Sequence, residues 1–212
     1  MENKQLFMGK EYPVIQNTAY DTYEQATSCK VSDIELVLDH NTGLVYNSRF
    51  DERLLNYDVN YDNEQSNSSF FKDHLKAVQL IIQEYMGKEG IVEIGCGKGT
   101  FLEKLANDGF DIIGFDPTYE GTNPNIIKEF YSKGCYSGEA KGIILRHVLE
   151  HIQNPVAFIQ SLAKNNNNKG LIYIEVPCLD WIIKNNTWYD VYYDHVNYFR
   201  IKDFKKIFKS IK

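Results

Sequence analysis

No two of the four cysteines (Cys29, Cys96, Cys135 and Cys178) are close enough to form a C-x-x-C pair. That excludes a disulfide framework and a zinc-knuckle spacing, and it suits a reducing cytoplasm. Long apolar runs are missing too. Nothing approaches the roughly 20 residues of a membrane span, and Met1-Glu2-Asn3-Lys4 leads into no apolar secretory segment. Basic excess is also absent. A formal charge of −6 argues against a general nucleic-acid or anionic-membrane surface, which needs clustered Lys and Arg. The one basic cluster, Lys202, Lys205, Lys206, Lys209 and Lys212, is interleaved with Phe204, Ile207, Phe208 and Ile211 and reads as the solvated face of an amphipathic helix. The expectation is a soluble, cytoplasmic protein whose 212 residues hold one sizeable domain and an appendage.

Two textures follow each other along the chain. Residues 1–68 are polar, tyrosine-rich and irregular, with strand candidates at Glu35–Leu38 and Gly43–Tyr46 around the turn-like Asp39-His40-Asn41-Thr42. Residues 69–212 are regular. Phe70, Leu75, Val78, Leu80, Ile81, Ile82 and Tyr85 predict a helix ended by Gly87. Strands are predicted at Gly90–Ile94, Asp111–Asp116, Gly142–Leu145 and Gly170–Val176, with helices over Thr100–Asn107 and Val156–Ala163. Apolar strands alternating with helices imply right-handed crossovers and a parallel sheet covered on both faces, an α/β fold.

The turn after the first of these strands, Glu93-Ile94-Gly95-Cys96-Gly97-Lys98-Gly99-Thr100, is glycine-rich. Such a turn lets backbone approach a ligand, and the helix behind it favours negative charge. A dinucleotide fingerprint would place glycine at position 100, where Thr100 stands. Glu93 lies inside an apolar strand, where a carboxylate costs desolvation unless a donor or a cationic ligand meets it. Asp116, followed by Pro117, ends the next strand, where its carboxylate can accept ribose hydroxyls. An NAD-dependent oxidoreductase shares that last feature and is the rival reading. A cofactor-binding relic without turnover is the third.

The combination resembles the class I S-adenosylmethionine-dependent methyltransferases, whose motif reads E-x-G-x-G-x-G with an acidic residue ending the next strand. Arg146-His147-Val148-Leu149-Glu150-His151 is similar to the L-x-H segment of that superfamily. The resemblance implies a Rossmann-like sheet and S-adenosylmethionine held by Glu93, Gly95, Cys96, Gly97, Gly99, Thr100, Asp116, Pro117, Arg146 and His147.

Further on, Ile174-Glu175-Val176-Pro177, then Asn185-Asn186-Thr187-Trp188, then Tyr192-Tyr193-Asp194-His195-Val196-Asn197-Tyr198-Phe199 resemble the sugar C-methyltransferases. By that resemblance His195 and Tyr192 are base candidates, Asp194 orients, and His151 contacts substrate or relays a proton. The acceptor implied is a small carbohydrate such as a nucleotide-linked sugar or polysaccharide precursor, methylated on carbon or oxygen. Were the segment helical, Tyr192 and His195 would share a face at i, i+3. Aromatic core residues around a hydrogen-bonded histidine are the alternative. Tyr57 to Gln65 is similar to a tyrosine-rich lid in that family, which makes Tyr61 and Gln65 candidates for covering the cofactor's methionine part.

Two departures stand out. Where these relatives carry zinc-binding cysteines, this chain has Asp39 and Thr42, so no metal is expected there. Two antiparallel C-terminal strands of the usual sheet are also missing from the pattern, so the chain is either truncated or carries an abbreviated sheet. An open edge of that kind can be covered by a second copy of the chain, as a homodimer.

Overall fold

The computed structural model describes residues 3–16, 18–55, 68–132, 134–136 and 139–210. In chain order its strands are β1 (Lys4–Pro13), β2 (Val31–Leu38), β3 (Val45–Asn47), β4 (Ile91–Ile94), β5 (Ile112–Phe115), β6 (Ile126–Ile127), β7 (Gly142–Arg146), β8 (Leu171–Glu175) and β9 (Asn197–Tyr198). The helices are α1 (Tyr23–Thr27), α2 (Ser69–Met86), α3 (Thr100–Asn107), α4 (Pro155–Asn165), α5 (Leu179–Asn185) and α6 (Ile201–Ser210). No helix among the described residues is long and apolar enough to cross a membrane.

The described residues fall into two compact units. One takes in Met1–Asn63, Glu150–Val156 and Val176–Lys212; the other takes in Glu64–Leu149 and Ala157–Glu175. Residues 150–156 and 176–212, on the far side of the expected division at residue 68, thus group with the N-terminal strands.

The second unit carries a parallel five-stranded sheet in the order β6-β5-β4-β7-β8. No antiparallel strand joins it among the described residues. The chain enters at β4, runs outward through β5 and β6, then returns to the other side of β4 for β7 and β8. The order therefore reverses between β4 and β7, and ligands bind at the carboxyl ends of strands at such a reversal. Period-two alternation sorts the core. Ile91 and Ile144 pack with Leu75, Val78 and Ile82 of α2 and Leu102 and Leu105 of α3. Val92, Ile94, Ile143 and Leu145 pack with Leu162 of α4. Glu93, two residues from Ile91, shares the α2–α3 face.

The first unit holds an antiparallel sheet ordered β1-β2-β3-β9 over a core of Val14, Ile34, Leu36, Val45, Leu179, Ile182, Tyr193 and Tyr198. Most of β1 is exposed, which is why it lacks the apolar alternation that would reveal it in sequence. The connection between β2 and β3 is the turn where cysteines were sought. Thr42 Oγ1 donates to Asp39 Oδ2 at 2.6 Å and the Asn41 amide to Asp39 Oδ1 at 2.9 Å, so the carboxylate closes the turn. That hydroxyl holds the Asp39 carboxyl below its ordinary value, against the upward push of burial.

Candidate active site

Glu93 is 2% exposed. Its Oε2 is buried and meets no hydrogen-bond partner among the described residues. Burial pushes the carboxyl up to about 8; the charge of Arg146 opposes the rise, and Glu175 and Asp116 add to it. At neutral pH the group is mostly protonated, and an arriving cation or donor would pull it into the ionised form. An orphaned buried oxygen of this kind fits a ligand carrying positive charge.

The turn beyond Glu93 is built from backbone. Gly95 has φ +69°, and a side chain there would collide with Val148. Gly97 has φ +55° with open space where a Cβ would stand, so a ligand can approach its main chain. The Gly97 amide donates to Asp116 Oδ2 at 2.8 Å, tying the glycine turn to the end of β5. Asp116 is 7% exposed, and its Oδ1 also accepts from the Thr118 amide (2.8 Å) and hydroxyl (2.7 Å). Pro117 follows it and stops the strand. Cys96 is half-buried, and burial holds its thiol well above its ordinary value, so it is a neutral packing group. Gly99 caps α3 without a side-chain acceptor, and Thr100 is the first helical residue. An anionic group suits that helix end.

At the ends of β7 and β8 the charges converge on one residue. Arg146 Nε donates to Glu175 Oε2 at 2.9 Å, and its guanidinium lies 4.5 Å from the centroid of the Phe101 ring. The His147 amide donates to the Glu175 carbonyl (2.9 Å), with its ring Nε2 3.5 Å from Glu175 Oε1. His74 Nε2, from α2, is 2.6 Å from the same oxygen. Burial would raise Glu175, but the His147 hydrogen bond and the Arg146 charge outweigh it and hold the carboxyl well below the usual range. Arg146 is thus engaged by Glu175. Sequence reasoning placed Glu175 in the Ile174-Glu175-Val176-Pro177 motif without assigning it a role, and it missed His74. Glu175 carried the same signal as Glu93, an acid inside an apolar strand, whereas His74 carried none because its partner lies 101 residues away.

The other unit gathers the remaining candidates. The 191–196 stretch is not helical: Trp188–Asp190 is a single 3-10 turn and the chain then folds back into β9. Tyr198 makes that fold, its hydroxyl accepting from the Tyr192 amide (3.1 Å) and donating to the Tyr192 carbonyl (2.8 Å). The Tyr192 and His195 rings still meet edge-on with centroids 5.1 Å apart, through this fold rather than a shared helix face. His151 and His195 meet edge-on at 5.0 Å. The Asp194 backbone carbonyl lies 2.9 Å from His151 Nδ1, and the Asp194 carboxylate accepts from Gln16 Nε2 at 3.3 Å. Asn197 Nδ2 donates to the Ile152 carbonyl at 2.6 Å, fastening the two segments. Burial, then the charges of Asp190 and Asp194, push the Tyr192 phenol up, so it is a neutral donor at physiological pH. His195 is 5% exposed, and it and His151 are the two imidazoles of this cluster. Tyr61 and Gln65 lie outside the described residues.

Residues 69–211 match the model of a family described as a methyltransferase domain. The C-methyltransferase NovU of Streptomyces niveus is 25% identical over an alignment of 149 residues that covers 64% of this chain. The chain spans only 36% of that relative's length. Among solved structures, a SAM-dependent methyltransferase from Archaeoglobus fulgidus aligns with a TM-score of 0.50 at 20% identity, over 68% of this chain and 74% of its own. The plantazolicin methyltransferase BpumL, solved in complex with SAH, aligns with a TM-score of 0.53 at 21% identity, over 72% and 67%. These two likenesses are of fold.

Proposed function

The chain belongs to the methyltransferase-domain family, and we propose that it moves a methyl group from S-adenosylmethionine to a small carbohydrate-type acceptor, such as a nucleotide-linked sugar or a polysaccharide precursor. The observation that carries the cofactor is Glu93, a buried acid with an orphaned oxygen beside an open glycine turn at the sheet's reversal point. In this reading Glu93 answers the positive charge of the cofactor's methionine end, and the Gly95–Gly99 backbone cradles it. Asp116 accepts from the ribose. Arg146 and His147 keep Glu175 ionised beside this site. Bound S-adenosylmethionine supplies an electrophilic methyl group on a sulfonium, which leaves the protein to orient the acceptor and remove one proton.

His195 removes that proton, and the electron pair freed on the acceptor's carbon or oxygen takes the methyl group. Tyr192, as a neutral phenol, donates a hydrogen bond to the acceptor, and His151, oriented by the Asp194 carbonyl, accepts a hydrogen bond from it or relays the proton. Support for a sugar comes from the Tyr192–Phe199 segment and from the partial likeness to a C-methyltransferase.

Calorimetry with S-adenosylhomocysteine and NAD tests the cofactor; binding of NAD alone would sink this reading. Turnover of a panel of keto- and hydroxy-sugar nucleotides, with the methylated atom located by NMR, tests the acceptor. Failure of every sugar by a protein that binds S-adenosylhomocysteine would remove the carbohydrate. His195→Ala should lower turnover on the order of 10²- to 10⁴-fold with unchanged S-adenosylhomocysteine affinity. Equal turnover would place the base elsewhere.

A further inference from the structure

Among the described residues, Glu150, His151 and His195 each offer one ligand atom, and all three atoms lie within 4.8 Å of one another. We infer that this cluster binds a divalent transition-metal ion of the zinc type, at a place unrelated to the Asp39–Thr42 turn. Two imidazoles and one carboxylate form the donor set that zinc and its first-row neighbours take, with further coordination positions left open. With metal–ligand bonds of 2.0–2.2 Å, tetrahedral ligands stand about 3.3 Å apart. Closing from 4.8 Å asks each atom to move by less than about 1 Å, within reach of small side-chain rotations.

The surroundings favour such a site. Glu150 is 1% and His195 5% exposed, so the ion's charge would act in a medium of low polarity. His151 Nδ1 lies 2.9 Å from the Asp194 carbonyl, and metal-binding histidines are commonly oriented by a carbonyl on one ring nitrogen. Asn197 pins the two segments that bear the ligands, and Tyr192 packs edge-on against the His195 ring. The side chain of His151 is 23% exposed, which gives an ion a way in.

Binding itself does not depend on the proposed function. Its consequence does: an ion on His195 occupies the lone pair assigned to proton removal, so metal occupancy and methyl transfer exclude each other.

Cobalt(II) added to the whole chain in the presence of S-adenosylhomocysteine provides the test. One equivalent should bring up visible d–d bands that zinc(II) abolishes, and His151→Gln and Glu150→Gln should each weaken cobalt affinity at least tenfold. His151→Gln, at a part-exposed position, keeps the test open if the buried Glu150 variant does not fold. No bands from a protein that binds S-adenosylhomocysteine would overturn the inference, as would bands equally strong in His151→Gln. Zinc should also suppress turnover, and a chelator should restore it. Full turnover with the site shown by cobalt to be filled would overturn the exclusion and remove His195 as base, while leaving the metal site in place.

Discussion

Replacing Glu93 by Gln removes a titrating group and leaves a side chain of nearly the same shape. A rise of its carboxyl from the ordinary 4.5 to about 8 corresponds, at about 1.4 kcal/mol per pH unit, to a cost of about 5 kcal/mol once the group is fully ionised. The unfolded chain ionises this acid near pH 4.5, whereas the folded one holds its proton until about 8. Between those values the folded state binds more protons, so stability falls as pH rises. Gln cannot ionise. Denaturant unfolding of the two proteins should therefore agree most closely near pH 5 and diverge up to about pH 9, with Glu93→Gln the more stable by a few kcal/mol at the alkaline end. Binding should show the reverse face of the same linkage. If Glu93 is ionised in the complex, S-adenosylmethionine binding at pH 7 releases ~0.9 proton from the wild type, measurable by calorimetry in buffers of different ionisation enthalpy. The variant should release none from this position and bind roughly 10- to 100-fold more weakly, having lost a charge-assisted hydrogen bond. Parallel stability curves together with equal proton release in both proteins would refute the reasoning.

Asp116→Asn keeps the shape but gives up the charge that holds the Gly97 amide, and should weaken S-adenosylhomocysteine binding by about 10- to 100-fold by calorimetry. Gly95→Ala, at φ +69° and against Val148, should cost at least 1–3 kcal/mol in denaturant unfolding and abolish cofactor binding. Glu175 acts with the opposite sign to Glu93. Its depressed carboxyl stabilises the fold above the ordinary carboxylate range, and that contribution is lost as pH falls through its folded value. Glu175→Gln should thus lower stability at pH 7 by about 3–5 kcal/mol and flatten the acid limb of the stability profile.

What could be read in sequence was what is settled locally. The stretch from Ile91 to Asn107 announces a strand, a glycine turn and a helix through neighbours a few residues apart, and α2 ends at Gly87 as its pattern implies. The parallel sheet followed from apolar strands alternating with helices. Distant pairings left no such trace. Two-residue β9 exists because it pairs with β3, some 150 residues earlier, and exposed β1 exists because β2 offers it an edge. Within the candidate site, Glu93 stood out because a charge inside an apolar strand is costly without a reason, and Asp116 because it ends the next strand, where ribose hydroxyls can meet it. The fold-back of Tyr192 to Tyr198 depends on a phenol closing onto main chain, which no periodicity encodes.

Because β3 pairs with β9, the β1-β2-β3-β9 sheet cannot be completed until residues near 198 have left the ribosome. The five described strands of the parallel sheet are all made by residue 175 and can close sooner. Strand β3 is therefore made long before the strand that completes its sheet. During that interval the apolar sides of β2 and β3 wait uncovered, a window in which a nascent chain is open to chaperones and to mispairing.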